Sequence, residues 1–277
     1  MSGFLDEMGH ASRARVVAAR LTEPAAALER RMVAMPPAPP LALSAEGFDV
    51  IAEIKRRSPA AGALAVEGDD WLARAREYAR AGAVAVSVLT EPTRFDGALE
   101  HLEGVAAALR PLGVPAMRKD FLVDPYQVLE ARAAGAGGVL LILRMLSDAQ
   151  CAELIDAAER CGLFVLLEAF DAGELARAGD IVQTRAGHAT LLVGLNCRDL
   201  QTLAVVPTRF AALAPAMPAA APAVAESGVA TAEDARCLRR LGYRLALVGS
   251  ALMTHPDPAA WIRSVLRAAR TDSGQNG

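Results

Sequence analysis

The chain has 277 residues, 53% of them hydrophobic and 22% charged, with a formal net charge of −3. This balance excludes disordered and fibrous classes, and it offers no basic surface for nucleic acid. The length suits one large domain of the size of a (β/α)8 barrel.

Residues 1–47 read as a helical extension. Ala14 to Met32 carries apolar residues at helical spacing, and Pro36, Pro37, Pro39 and Pro40 end the segment. From residue 48 short apolar runs alternate with longer amphipathic stretches. The runs predict strands at Val50–Ile54, Ala83–Leu89, Val114–Met117, Gly138–Leu143, Phe164–Leu167, Leu191–Leu195, Ala223–Ala225 and Leu245–Val248. Continuous Val, Leu, Ile and Ala runs suit strands buried on both faces, as in a parallel sheet. The seventh is the weakest signal, because the Ala221-Pro-Ala223 stretch leading into it has poor β propensity. Helices are predicted near 69–81, 97–110, 125–134, 148–161, 171–178, 208–214, 231–241 and 257–270, with Pro256 and Pro258 as start signals for the last. Eight strands alternating with eight helices predict an α/β fold, a (β/α)8 TIM barrel over 48–270 with the extension at 1–47 and a disordered tail at 271–277. Gly135-Ala-Gly-Gly138 precedes an apolar run, the wrong order for a dinucleotide loop.

The start of the chain has no basic segment leading into an apolar stretch, so no secretory signal is expected. Pro215, Pro218 and Pro222 interrupt the longest uncharged run, so no membrane partner is expected either. Cys151, Cys161, Cys197 and Cys237 lack Cys-x-x-Cys spacing, and the four histidines are scattered. Reduced, mostly buried thiols, no metal and a cytoplasmic location follow as expectations.

Barrel enzymes place their chemistry at the carboxyl ends of the strands. Six of the eight predicted ends carry polar groups: Glu53-Ile-Lys55 followed by Arg56-Arg57-Ser58, then Arg118-Lys119-Asp120, Glu168, Asn196-Cys197-Arg198-Asp199, Glu226-Ser227-Gly228 and Gly249-Ser250. A lone charge at a strand end is an ordinary solvated charge. The recurrence is harder to dismiss. Glu53 and Lys55, two apart, share a strand face. Of 29 basic residues only Lys55 and Lys119 are lysines, and Asn196 and Asn276 are the whole asparagine supply. An Ala and Arg bias fills tolerant positions, so residues that escape it are informative. Seven basic residues lie near strand ends, Lys55, Arg56, Arg57, Arg118, Lys119, Arg144 and Arg198. Random placement would put both lysines among them about 5% of the time, and lysine differs from arginine in that it can transfer a proton. Ser227-Gly228 and Gly249-Ser250 suit a phosphate cradle after the last two strands, where backbone N–H groups and a short helix approach an anion.

These residues carry a resemblance. The segments Ile51-Ala-Glu-Ile-Lys-Arg-Arg-Ser-Pro59, Ser87-Val-Leu-Thr90, Arg118-Lys-Asp-Phe121, Gly138-Val-Leu-Leu-Ile142, Leu166-Leu-Glu168, Gly194-Leu-Asn-Cys-Arg-Asp-Leu200, Ala225-Glu-Ser-Gly228 and Val248-Gly-Ser-Ala-Leu-Met253 resemble, in order, those of the indole-3-glycerol-phosphate synthase family. The extension is similar to the family's helix across the barrel mouth. The resemblance implies ring closure, decarboxylation and dehydration of 1-(2-carboxyphenylamino)-1-deoxyribulose 5-phosphate. It implies Lys119 as general acid, Glu168 as general base for dehydration, and Glu53 with Lys55 as an organising ion pair. Asn196 and Glu226 would position the reacting atoms. Ser58 and Arg198 would bind anions, and Ser227, Gly228, Gly249 and Ser250 would hold the phosphate. Phe95, Phe121, Leu140 and Leu200 would wall the aromatic ring. No cofactor is implied; the partner is a phosphorylated small molecule, and the chain is expected to be a monomer or weak homodimer. Lys55 is expected to depress the Lys119 pKa, with Glu53 partly offsetting it.

The loop Ser58-Pro-Ala-Ala-Gly62, Ala98, Phe170 and a long Ile181–Thr190 stretch depart from the family pattern. They leave open a paralogue serving a specialised indole pathway. The alternative reading is a phosphosugar barrel enzyme like phosphoribosylanthranilate isomerase, against which Lys119, Glu168 and the Glu53-x-Lys55 pair speak.

Overall fold

In the computed structural model, residues 3–58, 62–63, 70–185, 187, 189–199 and 202–271 are described. The apolar runs form β1 (Asp49–Ile54), β2 (Ala85–Leu89), β3 (Ala116–Lys119), β4 (Gly138–Ile142), β5 (Phe164–Ala169), β6 (Leu191–Asn196), β7 (Ala223–Glu226) and β8 (Leu245–Val248). All neighbours pair in parallel, and the sheet closes where β1 meets β8, with Asp49 opposite Leu245. The expected (β/α)8 barrel is therefore present. β7 forms despite its poor propensity because strands on both sides supply its hydrogen bonds, as at Asn196 opposite Glu226.

Side-chain alternation builds two cores. Ile51, Ala85, Met117, Leu140, Leu166, Leu192, Val224, Leu245 and Leu247 fill the barrel interior. The intervening residues, among them Val50, Val86, Val139, Val165 and Val193, face outward under the helices.

The helices are α1 (Phe4–Thr22), α2 (Ala25–Ala34), α3 (Trp71–Arg80), α4 (Pro92–Phe95), α5 (Leu99–Leu109), α6 (Pro125–Ala133), α7 (Asp148–Arg160), α8 (Ala172–Thr184), α9 (Thr208–Leu213), α10 (Ala232–Arg240), α11 (Ser250–Thr254) and α12 (Pro258–Arg270). Short polar side chains start many of them. Asp70 accepts from Leu72 and Ala73 N–H groups, and Ser147 and Thr231 form capping boxes with Gln150 and Asp234. Pro258 opens α12, as its fixed φ favours.

Three expectations need correction. The Ala14–Met32 segment is two helices, because Pro24 has no N–H to continue α1 and instead precedes α2. The third strand lies two residues later than expected and ends on Lys119 itself. The helix expected at 171–178 continues to Thr184, absorbing part of the long stretch. Leu200, the Pro59–Ala61 part of the first loop and the 272–277 part of the expected tail lie outside the described residues. Among the described residues no helix is long and apolar enough to cross a membrane.

Helix α1 is tied to the segment following β3. Ser12 Oγ donates to the Phe121 carbonyl at 2.5 Å and accepts from Gln127 Nε2 at 2.9 Å. Arg15 grips both Asp120 oxygens at 3.0 and 2.7 Å. The two-pronged arginine contact fixes direction as well as distance.

Candidate active site

A cavity of about 460 Å³ opens at the carboxyl ends of the strands. Of the residues singled out from the sequence, Glu53, Lys55, Phe95, Lys119, Phe121, Leu140, Glu168, Asn196, Arg198, Glu226, Ser227, Gly228, Gly249 and Ser250 all line it. Ser58 lies in a two-residue strand of a hairpin, Arg57–Ser58 against Gly62–Ala63, with its side chain outside what the structure describes, and Leu200 lies outside the described residues.

Lys119 closes the floor. Its Nζ lies 3.0 Å from Glu226 Oε2, 3.4 Å from Glu168 Oε2 and 3.9 Å from Glu53 Oε2. Glu53 Oε1 in turn receives Lys55 Nζ at 2.8 Å, as their shared strand face requires. Asn196 links the next layer. Its Nδ2 donates to Glu168 Oε1 at 3.2 Å, while its Oδ1 accepts from Arg198 N at 2.9 Å and Ser227 Oγ at 3.0 Å. Arg198 uses its guanidinium to hold the Leu203 carbonyl at 2.6 Å.

The electrostatics overturn one expectation. Burial alone would lower the Lys119 pKa, but Glu226, Glu168 and Glu53 outweigh it and hold the ammonium above its ordinary value. Lys55 does not depress it, because Glu53 stands between the two cations and pairs with both. Glu53, pushed up by burial, is brought below its usual value by Lys55 and Lys119. Glu226 moves the other way. Burial dominates, Lys119 offsets part of it, and neighbouring Glu168 adds repulsion, so its carboxyl sits well above the usual range. Among the described residues Glu226 Oε1 has no partner within hydrogen-bond geometry.

The apolar half of the cavity is aromatic. Phe121 meets Phe4 edge-on at 5.8 Å and Phe95 at 6.3 Å, and Phe170 adds a fourth ring beneath the Arg144 guanidinium. Phe4 and Leu5 of α1 also line the cavity, and no local sequence pattern marks a helix start as a cavity wall. Asp120 belongs to the Arg118-Lys-Asp-Phe121 segment. It accepts from Arg118, Arg15, Thr90 and the Phe121 N–H, and the two arginines with Thr90 hold its carboxyl at about 2 despite burial. The charge alternation of Arg118-Lys-Asp120 was the available signal.

On the opposite side Ser227 and Gly228 both adopt positive φ, 66° and 78°. For a serine this backbone costs of order 1 kcal/mol, a strain that clusters at ligand sites. A Cβ on Gly228 would stand 2.8 Å from Val205 Cγ1, so glycine is needed there. Gly249 precedes α11, whose first residue is Ser250. Among the described residues no group of three or more His, Cys, Asp and Glu is placed to hold a metal. Cys151, Cys161 and Cys197 are buried and Cys237 is exposed, all unpaired; burial pushes the Cys197 thiol up to about 12.

The indole-3-glycerol phosphate synthase family model matches residues 5–265. The chain belongs to that family. It is 46% identical over 244 residues to the indole-3-glycerol phosphate synthase of Leifsonia xyli, covering 87% of this chain and 89% of the relative. The enzyme of the same name from Mycobacterium tuberculosis is 38% identical over 268 residues, 95% of this chain and 94% of that one. Among solved structures, 3-hexulose-6-phosphate synthase from Salmonella typhimurium superposes with a TM-score of 0.62 at 12% identity, over 80% of this chain and 99% of that chain. Phosphoribosyl anthranilate isomerase from Thermotoga maritima gives 0.58 at 16% identity, again over 80% and 99%. At such identities these two share the fold alone.

Proposed function

We propose that this chain closes the indole ring: it cyclises 1-(2-carboxyphenylamino)-1-deoxyribulose 5-phosphate, releases CO2 and then water, and yields indole-3-glycerol phosphate. The observation that carries the reading is Lys119, an ammonium kept charged by Glu226 and Glu168 at the floor of an aromatic-walled cavity. An amine with a raised pKa is protonated before each turnover. The oxygen of an attacked carbonyl becomes more basic as the new carbon–carbon bond forms, so it can take the Lys119 proton at that moment. The ammonium also stabilises the developing oxyanion.

Loss of CO2 from the carboxyl-bearing ring carbon leaves the bonding electrons to restore aromaticity. Lys119 is then reprotonated from solvent. Glu168 removes a proton from the former methylene carbon beside the nitrogen while the C–O bond breaks, and the hydroxyl leaves as water with the new Lys119 proton. Asn196 fixes the Glu168 carboxylate for this step, donating to one oxygen while Lys119 approaches the other. Phe95, Phe121, Leu140 and Phe170 enclose the carboxyphenyl ring, and Phe4 and Leu5 of the N-terminal helix cover it. Ser227, Gly228, Gly249 and Ser250 receive the phosphate, and Arg198 and Lys55 face the other anionic groups. The extension at 1–47 is read as a cover carried on the 48–270 barrel.

Incubation with the carboxyphenylamino substrate while indole fluorescence is followed tests this reading. Turnover is expected with the phosphorylated substrate alone, without added metal or cofactor. A folded protein that leaves the substrate unchanged would overturn the proposal. Lys119→Arg, which keeps charge but gives up proton transfer, is expected to lower kcat by about 10³-fold with the fold intact.

A further inference from the structure

Three glycines point into the barrel, and each is covered by a large side chain from a neighbouring strand or from its own end of the barrel. A Cβ on Gly138 of β4 would overlap the Phe164 ring of β5. A Cβ on Gly249, after β8, would overlap Glu53 Oε1 of β1 and stand 2.9 Å from Lys55 Nζ. A Cβ on Gly194 of β6 would overlap Glu226 Oε1 of β7 and stand 3.1 Å from both Glu226 Cδ and Leu166 Cδ1. Small against large is how barrel interiors are filled. At Gly138 the filler is a hydrocarbon ring; at the mouth it is a carboxylate.

Gly194 has no backbone reason to be glycine. It sits inside a strand with both faces buried, pairs with Glu168 and Val224, and is absent from the positive-φ residues. Glycine weakens a strand interior and marks places where another group must come close. The group that comes close is Glu226, 1% exposed, whose Oε1 lies over the bare Cα with no hydrogen-bond partner while its Oε2 accepts from Lys119 at 3.0 Å. The carboxyl has room to lie where it does because nothing stands on residue 194.

We propose that Gly194 is a positioning residue: its missing side chain is the space in which the Glu226 carboxyl lies, and that placement sets the distance from Glu226 to Lys119. Gly194 touches neither substrate nor proton. Any side chain there pushes Glu226 off Lys119, leaving Glu168 and Glu53 as the lysine's remaining carboxylate partners. The consequence for turnover rests on the function proposed above; the displacement itself does not.

The test is a double-substitution cycle on the full chain, read by thermal unfolding and by turnover. Gly194→Ala is expected to lower the melting temperature. In a Glu226→Ala background, where the colliding carboxyl is gone, the same Gly194→Ala change is expected to cost less than half as much. An equal cost in both backgrounds would mean that Glu226 does not fill the space, and would overturn the proposal without reference to any substrate. This comparison remains readable if Gly194→Ala alone fails to fold, since the double variant is then expected to recover a cooperative transition, and its failure to do so counts against the proposal. For folded Gly194→Ala, kcat is expected to fall ten- to a hundredfold with KM changed less than threefold, and the pH profile of kcat to shift. Glu226→Asp, with a carboxyl one methylene shorter, is expected to restore at least tenfold of the kcat lost in the Gly194→Ala variant. An unchanged kcat and pH profile in Gly194→Ala, or a double variant no better than the product of the single losses, would overturn the proposal. An inactive wild-type protein showing the expected melting-temperature pattern would instead break the functional reading and leave the placement standing.

Discussion

Strand β1 carries an acid at each end, and the two are held in opposite ways. Asp49, at the start, is wholly buried and fully answered. Arg270 donates to Oδ1 at 2.9 Å, the Ser44 N–H donates to Oδ2 at 3.0 Å, and Arg244 lies 3.2 Å from Oδ2. Glu53, on the same strand face, answers to lysines, and its neighbours Glu168 and Glu226 compete for one of them. Guanidinium groups are permanently charged forks that saturate a carboxylate; ammonium groups are point donors that can let a proton go. The bottom of the barrel is built to stay as it is, whereas at the mouth Glu226 Oε1 is left without a hydrogen-bond partner among the described residues.

The difference can be broken from either end. At the mouth, Glu168→Gln is expected to cut kcat by about 10³-fold, equivalent to roughly 4 kcal/mol of barrel-mouth chemistry, with little change in urea midpoint. Comparable losses of stability and of rate would erase the distinction. At the bottom, Asp49→Asn is expected to cost about 3 kcal/mol of stability by leaving two arginines without their buried partner, while kcat per folded molecule stays near wild type. A large kcat effect there would show the two ends to be coupled.

Asp120 sharpens the comparison, because it stands beside Lys119 yet is answered in the manner of Asp49. Its folded pKa of about 2 lies below the ordinary 3.8, so its contribution is present above that ordinary value and is lost as pH falls through about 2. The shift corresponds to about 2 kcal/mol. Urea unfolding of wild type and Asp120→Asn is expected to differ by about that much at neutral pH and to converge near pH 2; a gap that closes already at pH 5 would place the stabilisation elsewhere. The smallest effect lies away from both clusters. Ala98 occupies the N-cap of α5 without a side-chain hydrogen bond, so Ala98→Ser is expected to add about 0.5–1 kcal/mol in the same unfolding measurement with activity unchanged.

Element order was legible because the apolar runs are continuous and the intervening stretches amphipathic, and β1 to β8 fall on the expected runs within two residues. Pro24 sits inside an otherwise periodic segment, and side-chain spacing is blind to a missing N–H. The charged strand ends were legible because an arginine-biased chain has kept Lys55 and Lys119. The direction of the Lys119 shift was not. It depends on which of several nearby charges lies nearest, and sequence places Lys55 near Lys119 without placing Glu53 between them. Phe4 and Leu5 belong to the same class, known as cavity walls only once α1 is docked.

Closure between β1 and β8 has a temporal side. Lys119 and Glu226 are 107 residues apart in the chain, and the pairing of Asp49 with Leu245 joins strands from opposite ends of the fold. Contacts so distant in sequence form late, after the local helices have assembled. Circular dichroism during refolding is therefore expected to recover its helical signal first, and turnover only when the last seam shuts. In this chain enzymatic activity is a clock for the completion of the barrel.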